Sequence, residues 1–447
     1  MDESTEPHGR ASLNEGTTGV TPSPEMGGTY SRARAYGLLK KRNVRLYMLG
    51  MLVSQVGTYM QVVAEGWLVY QLTNSAFSLG LVGFIAIIPL APWALVAGAL
   101  ADRMSRRKLL AMALVGEAIP PLVLAVLTWT GNVQVWHVIV ADIALGAMNP
   151  LDFSSRIALI YSVVDRDEVE NGMGVAGSIM NLARIIGPAL AGVLIAAVGV
   201  AGAFLFNGFS FLFVLFTLRH IKVPKRMLPV AQRASIAANL IEVLLFIFRN
   251  RNVLLMIMMM TVVSLFVLPY QTLLPVFARD ILRAGPQGLG LLTAATGVGA
   301  VAGAFLLTGQ PPMPARRRLA IAVGLTILLG PITAAFAFSQ NFFLSVLLLV
   351  LVGGGFLALR VISFTYVQLH AGDEMRGRMA SILQLITLGT VRLGGFFVGT
   401  VAVFTGAAMS IGLSALICLL FGLVALAFVL PQLRAEAPVW NLPKAID

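Results

Sequence analysis

The sequence predicts an all-α membrane protein of twelve transmembrane helices in two parallel six-helix bundles. Three observations predict it. Of 447 residues, 58% are hydrophobic and 12% charged, against about a quarter charged in a soluble domain, and the mean hydropathy is +0.86. Apolar runs of about 20 residues, enough to cross a bilayer, recur along the chain. Landmarks in the first half also reappear in the second at a nearly constant spacing. An open sheet would leave backbone groups unpaired in lipid, and barrel strands would be shorter and alternating, so the runs read as helices.

The expected spans lie near 46–71, 77–100, 108–129, 134–161, 172–198, 202–220, 253–280, 287–309, 317–338, 342–369, 378–404 and 408–431. Turn residues punctuate them, as in "TNS", "TGN", "VGVAG" and "TGAA". Residues 1–43 are polar, lack an early apolar stretch and read as a disordered tail with no cleaved signal peptide. The expected bundles are 44–221 and 252–433, with a linker at 222–251 and a second tail at 434–447. From Ala234 the linker has an amphipathic pattern, with Ile236, Leu240, Leu244 and Ile247 on one stripe, suited to lying on a membrane surface.

The repeat rests on four landmarks. "RNVRL" at Arg42 returns as "RNRNVLL" at Arg249. Arg106–Lys108 matches Arg316–Arg318, 210 residues later. "DEVENGM" at Asp167 matches "DEMRGRM" at Asp373, 206 later, and Gly187-Pro188 matches Gly394-Gly395, 207 later. A duplicated unit with an even number of spans keeps its orientation, so the two copies are expected to relate by an axis along the membrane normal.

Charge sets the expected sidedness. Arg279 and Arg283 are the only bases in the loops of one side, and all other loop and tail bases fall on the opposite side. The positive-inside rule then places both termini in the cytoplasm of a multi-pass plasma (inner) membrane protein. The net charge of +12 is dispersed over short loops rather than gathered in one patch, which argues against nucleic acid. The single Cys418 lies in an apolar run and reads as a buried, inert thiol. There is no P-loop, HExxH or CxxC, the four His are scattered, and no catalytic constellation stands out. The expectation is a non-enzyme without cofactor or metal.

"GALADRMSRRKLL" (Gly98–Leu110) follows the second run. Gly98 lets a neighbouring helix approach closely. Asp102 puts an anion on the side where the eleventh span begins, and a helix N-terminus carries partial positive charge. Gly98-x3-Asp102-Arg103-x2-Arg106-Arg107 resembles the signature loop of the major facilitator superfamily. "NLARIIGPALAG", with Gly187, Pro188 and Gly192, is similar to the Gly-Pro motif of helix five in its exporters. "GTYMQVVAEGWLVYQLT" and "DEMRGRM" resemble the branch that holds the enterobactin exporter and bacterial drug exporters. The resemblance covers about residues 44–431. It implies that Gly98, Asp102, Arg103 and Arg106 form a conformational latch, that the halves rock about a midplane site, that a proton gradient supplies the energy, and that the protein is a monomer. There are departures: Ser155 precedes Arg156 where relatives usually have Pro, Arg392 stands in an ordinarily uncharged segment, and "GQPPMPARRRL" lacks the acid.

Charges at membrane depth are costly and therefore functional candidates. Asp142 and Glu65 are the candidate coupling residues. Asp142 and Arg184 could pair, Asp152 and Arg156 are four apart and suit a structural clasp, and Glu117 suits helix packing. Arg184, Arg360 and Arg392 are cavity candidates, Arg360 facing an anionic substrate group. Gln55, Tyr59, Gln61, Asn149, Tyr270, Gln271, Tyr366, Gln368 and Gln384 are neutral ones. Pro89, Pro92, Pro269 and Pro275 can bend helices, and Gly353–Gly355 can loosen one. The reading is a secondary active exporter of small amphipathic molecules, drug-like or siderophore-like, working in the lipid bilayer by proton antiport. The alternatives are an importer or lipid-related transporter on the same scaffold, or a non-transporting membrane sensor or scaffold.

Overall fold

The computed structural model describes residues 37–88, 93, 100, 104–221, 236–307, 311 and 313–434. All regular elements among them are helical. They are α1 (Arg42–Thr73), α2 (Ala76–Ile85), α3 (Arg106–Trp129), α4 (Val135–Val163), α5 (Val169–Val198), α6 (Val200–His220), α7 (Ile236–Arg249), α8 (Arg251–Ile281), α9 (Gly285–Leu307), α10 (Ala315–Phe338), α11 (Phe342–His370), α12 (Asp373–Thr405) and α13 (Ala407–Arg434). Ten of them, α1, α3, α5, α6 and α8–α13, are long and apolar enough to cross a membrane. The expected fourth span is a helix too, but Asp142, Asn149, Asp152 and Arg156 make α4 less apolar. Most of the expected second span beyond α2, with Pro89 and Pro92, lies outside the described residues.

The turns form where the sequence places them. Asn74 ends α1 at φ 47°, and Gly131, Gly199 and Gly406 take φ of 72°, 79° and 82°, the left-handed region that glycine enters without a Cβ clash. All four turns lie at the base-poor end. Asn341 caps α11 there through the Leu344 N–H at 3.1 Å, satisfying an otherwise orphan donor. Large side chains such as Trp129, Trp136, Phe343 and Phe404 are exposed near this end, which suits a surface covered by lipid and its interface.

Helices α1–α6 pack around α1, which lies against α5 and α6, while α3 pairs with α6. Among α8–α13, α10 pairs with α13 and α9 with α11. Two junctions join the sets: α5 with α9, and α2 with α12. Both are built on glycine, and both obey the sequence repeat. A Cβ at Gly192 would lie 2.7 Å from the Pro286 carbonyl oxygen, and one at Gly399, 207 residues later, 2.7 Å from that of Ala76. A Cβ at Gly290 would lie 2.5 Å from the Pro188 carbonyl oxygen, and one at Gly80, 210 residues earlier, 2.6 Å from that of Gly395. Without side chains, the backbones come into contact and gain dispersion energy that lipid cannot match. Phe396 then stacks on Phe84 at 5.1 Å across the α2–α12 junction.

The triple glycine does not loosen α11. The helix is unbroken through it, Gly353 and Gly354 touch the α9 backbone, and Gly355 meets Leu329 of α10, so these residues serve close packing. In α8 the ladder widens to π-helical spacing at Val263–Val267, before Pro269, and at Phe277–Ile281, after Pro275. Proline lacks the N–H of the regular ladder, and the π segments absorb the mismatch.

The linker helix α7 is amphipathic as expected, but its buried stripe is Val243 and Ile247, while Leu244, Leu245 and Phe248 are exposed. Of the expected stripe, Ile247 is buried and Leu244 is not, because α7 packs against α8 and α12 through Val243 and Ile247, with Glu242 bonded to Arg378 at 2.7 Å. At the same base-rich end, Lys41 bonds Asp165 at 2.8 Å and also Glu168. These two hydrogen bonds hold the Lys41 ammonium above its usual range and tie the start of α1 to the α4–α5 turn.

Candidate functional site

Three groups of polar side chains lie at successive depths. Glu65 is on α1 about 12 Å from its base-poor end, and Asp142 is on α4 about 10 Å from the same end, at 1.5 Å per residue. The Asn207 amide of α6 donates to Gln61 Oε1. Gln61 Nε2 donates to Glu65 Oε1 at 2.6 Å, and the carboxyls of Glu65 and Asp142 are themselves in hydrogen-bond contact. A carboxylate has no donor, so that last bond exists only when one of the two carries a proton. Arg392 of α12 acts electrostatically on both acids. Its Nη1 would lie 3.3 Å from a Cβ at Gly83 of α2, so the guanidinium crosses from the C-terminal set to the N-terminal one.

This corrects the expected Asp142–Arg184 pair. Arg184 instead donates from Nε to the Tyr59 hydroxyl at 3.3 Å, with its guanidinium carbon 5.9 Å from that ring's centre. It sits about midway along α5 and within electrostatic range of Arg360 on α11. Arg360 in turn donates from Nη2 to Gln384 Oε1 at 2.9 Å. Gly187 sets the position of Tyr59: a Cβ there would come within 2.6 Å of the Tyr59 Cβ, so the Gly-Pro motif brings α5 onto α1 at this level.

The third group is the expected clasp. Arg156 Nε lies 2.6 Å from both Asp152 oxygens, Arg156 Nη1 donates to Ser54 Oγ at 3.2 Å, and Tyr47 donates to the Arg156 carbonyl at 2.9 Å. The pair is buried, and the buried Glu117 of α3 lies within electrostatic range of it. Breaking one side leaves an uncompensated charge. Asp152→Asn is expected to cost about 3–5 kcal/mol, read as a marked fall in melting temperature in detergent. Arg156→Met added to it should restore much of the loss.

Among the neutral candidates, Gln55 and Tyr59 are half-buried and Asn149 and Gln271 exposed. Tyr270 and Tyr366 are corrected. At 1% and 3% exposure they belong to the core. Tyr270 packs on Phe336 at 5.7 Å, and Tyr366 stacks on His370 at 4.2 Å. Gly98, Asp102 and Arg103 lie outside the described residues. Arg106 opens α3 and is half-buried. Sequence reasoning missed Asn207, whose signal was an amide inside the apolar run "LFNGFSF". It also missed a cluster at the base-poor end: Tyr70 donates to Asp280, and Arg279 Nη1 donates to Asn74 Oδ1 at 2.7 Å. These bonds join α1 to α8 near the α5–α9 and α2–α12 junctions.

The family described as transmembrane secretion effector matches residues 33–444. The chain belongs to that family of the major facilitator superfamily. Among major facilitator relatives, the multidrug efflux pump Tap of Mycolicibacterium fortuitum is 25% identical over 88% of this chain and 97% of its own. The staphyloferrin A transporter of Staphylococcus aureus is 28% identical over 38% of this chain and 44% of its own. A bacterial homolog of the human lysosomal transporter Spinster, solved inward-facing and unoccupied, superposes with a TM-score of 0.65 at 12% identity, covering 90% of this chain and 98% of that one. The major facilitator fold is therefore shared well beyond detectable sequence similarity.

Proposed function

We propose that this chain is a secondary active exporter of small amphipathic molecules, drug-like or siderophore-like, driven by proton antiport through alternating access. The observation that carries the reading is the Glu65–Asp142 carboxyl contact faced by Arg392 from the opposite helix set. Such a site can hold a proton while Arg392 is turned elsewhere and release it when the guanidinium arrives. The relatives named as an efflux pump and a siderophore transporter support the substrate range. The scaffold of this reading is twelve spans in two six-helix bundles, 44–221 and 252–433, joined by the 222–251 linker. It is a monomer in the plasma membrane with both termini cytoplasmic, needing no cofactor and catalysing no covalent chemistry.

The cycle follows from where the sets touch. The hydrogen bonds between α1 and α8 cluster with the glycine junctions toward the base-poor end, which is the external end in this reading, so the conformation is closed outward. The reverse state closes the cytoplasmic end, with Asp102 docked on the N-terminus of α12. Asp102→Asn is expected to lower transport several-fold at equal membrane abundance. Unchanged transport would remove the latch from the scheme. The direct test of function is ethidium accumulation in energised inside-out vesicles. Protonophore-sensitive uptake supports the proposal, and no uptake at verified abundance rejects broad dye export.

A further inference from the structure

Among the described residues, two guanidiniums at the middle of this fold have no carboxylate partner. Arg156 has Asp152, Arg378 has Glu242, Arg279 has Asp280, and Arg392 faces Glu65 and Asp142. Among the described residues, no carboxylate lies within 4.0 Å of Arg184 or Arg360. Their neighbours are neutral oxygens, the Tyr59 hydroxyl and Gln384 Oε1, and each other's positive charge. Both side chains are half-buried at membrane depth, where two like charges within electrostatic range of each other are costly. They also come from different sets: Arg184 stands on α5 and Arg360 on α11.

We infer that Arg184 and Arg360 form an oxyanion subsite, so that amphipaths bearing a carboxylate or phosphate group are among those this protein carries, with that group placed between the two sets. The inference rests on the export reading for its physiological meaning and on geometry for the site itself. A guanidinium presents a planar fork that matches two oxygens of a carboxylate or phosphate. One fork from each set suits a group that offers several oxygens. The bound anion also replaces repulsion between the sets with attraction to each, which favours their approach at this level. Substrate binding thereby gains a differential effect on the two conformations, as any ligand that shifts such an equilibrium must. Tyr59 and Gln384 hold the two guanidiniums in place and complete the polar lining.

The test uses the purified full-length chain in nanodiscs of neutral lipid with no gradient. Carboxyfluorescein is the carboxylate probe, phenyl phosphate the phosphate competitor and ethidium the cationic comparator. Carboxyfluorescein is expected to bind, and Arg184→Gln and Arg360→Gln are each expected to weaken it about tenfold or more, the loss of one charge-assisted contact. Arg184→Lys and Arg360→Lys should retain part of the affinity, and ethidium binding should hold or tighten. Competition by phenyl phosphate keeps both oxyanions in the class, and its failure narrows the class to carboxylates. The inference is overturned if neither anion binds the wild type, if both Gln variants bind as the wild type does, or if ethidium loses affinity in step with carboxyfluorescein. Melting curves of each variant separate lost binding from lost fold. Arginine-dependent binding without flux would retain the subsite and reject export, whereas ethidium export without anion binding would do the reverse.

Discussion

Asp142→Asn is expected to abolish protonophore-sensitive ethidium accumulation in inside-out vesicles, a drop of at least about tenfold, while membrane abundance stays near the wild-type level. The amide keeps the size of the carboxyl and can still bond Glu65, so α4 remains packed. What it loses is the exchangeable proton and the negative charge that Arg392 answers. Glu65→Gln should behave alike, because the two acids share one hydrogen bond. The double variant should be no worse than either single one, since removing either member already breaks the unit. Downhill ethidium movement provides the decisive contrast. If the pair couples protons to substrate, both variants should still equilibrate dye without a proton gradient. Retained protonophore-sensitive uptake in both would remove the pair from coupling. Arg392→Gln separates the partners differently: it leaves the acids intact but lets their proton stay, so uptake against a gradient should fall while equilibration persists.

Much of this arrangement was legible in the sequence, and what was not has a common cause. Turns at Asn74, Gly131, Gly199 and Gly406 follow from local chemistry and were readable. So was the Asp152–Arg156 clasp, because a spacing of four puts both groups on one helix face. The repeat spacing of 206–210 anticipated paired features, and the matched glycines at Gly192 and Gly399 extend it. Spacing gives depth along a helix. It does not give azimuth. In a soluble helix a polar face marks the outward direction, but a membrane helix is apolar toward both lipid and core. The Asp142 partner was therefore misassigned to Arg184, and Tyr270 and Tyr366 were placed in the cavity although they pack in the core. In the linker helix Ile247 is buried as the pattern anticipated, whereas Leu244 is exposed and Val243 buried, because α8 and α12 pack on that stripe.

Gly290→Ala and Gly80→Ala are expected to open the base-poor end of the transporter, external in the proposed reading, and the same substitution at Gly299 should instead damage the fold. The difference lies in what each added methyl meets. At Gly290 it would sit 2.5 Å from the Pro188 carbonyl oxygen and 3.0 Å from the backbone of Gly192, both on α5 of the other set. At Gly80 it would sit 2.6 Å from the Gly395 carbonyl oxygen on α12. These obstacles are backbone atoms that no rotamer change can remove, and the two sets relieve the clash by moving apart. Overpacking of this kind costs about 1–3 kcal/mol, enough to shift a two-state equilibrium by a factor of roughly 5 to 160 toward the open arrangement. At Gly299 the methyl would lie 1.9 Å from the Val350 carbonyl oxygen, inside the α9–α11 pair of a single set, where no rigid-body motion of the sets relieves it. Gly177→Ala on α5, with open space at its Cβ, is the neutral control. The readout is labelling of Gln271→Cys, at an exposed position on α8, by a membrane-impermeant maleimide added to intact cells in a Cys418→Ser background. Labelling should rise about tenfold for Gly290→Ala and Gly80→Ala, stay level for Gly177→Ala, and fall with abundance for Gly299→Ala. Equal labelling across the four at matched abundance would mean that these junctions pack the fold without gating it. A rise at only one of the two would instead break the symmetry that the repeated glycines imply, and would locate the opening of the base-poor end at a single junction.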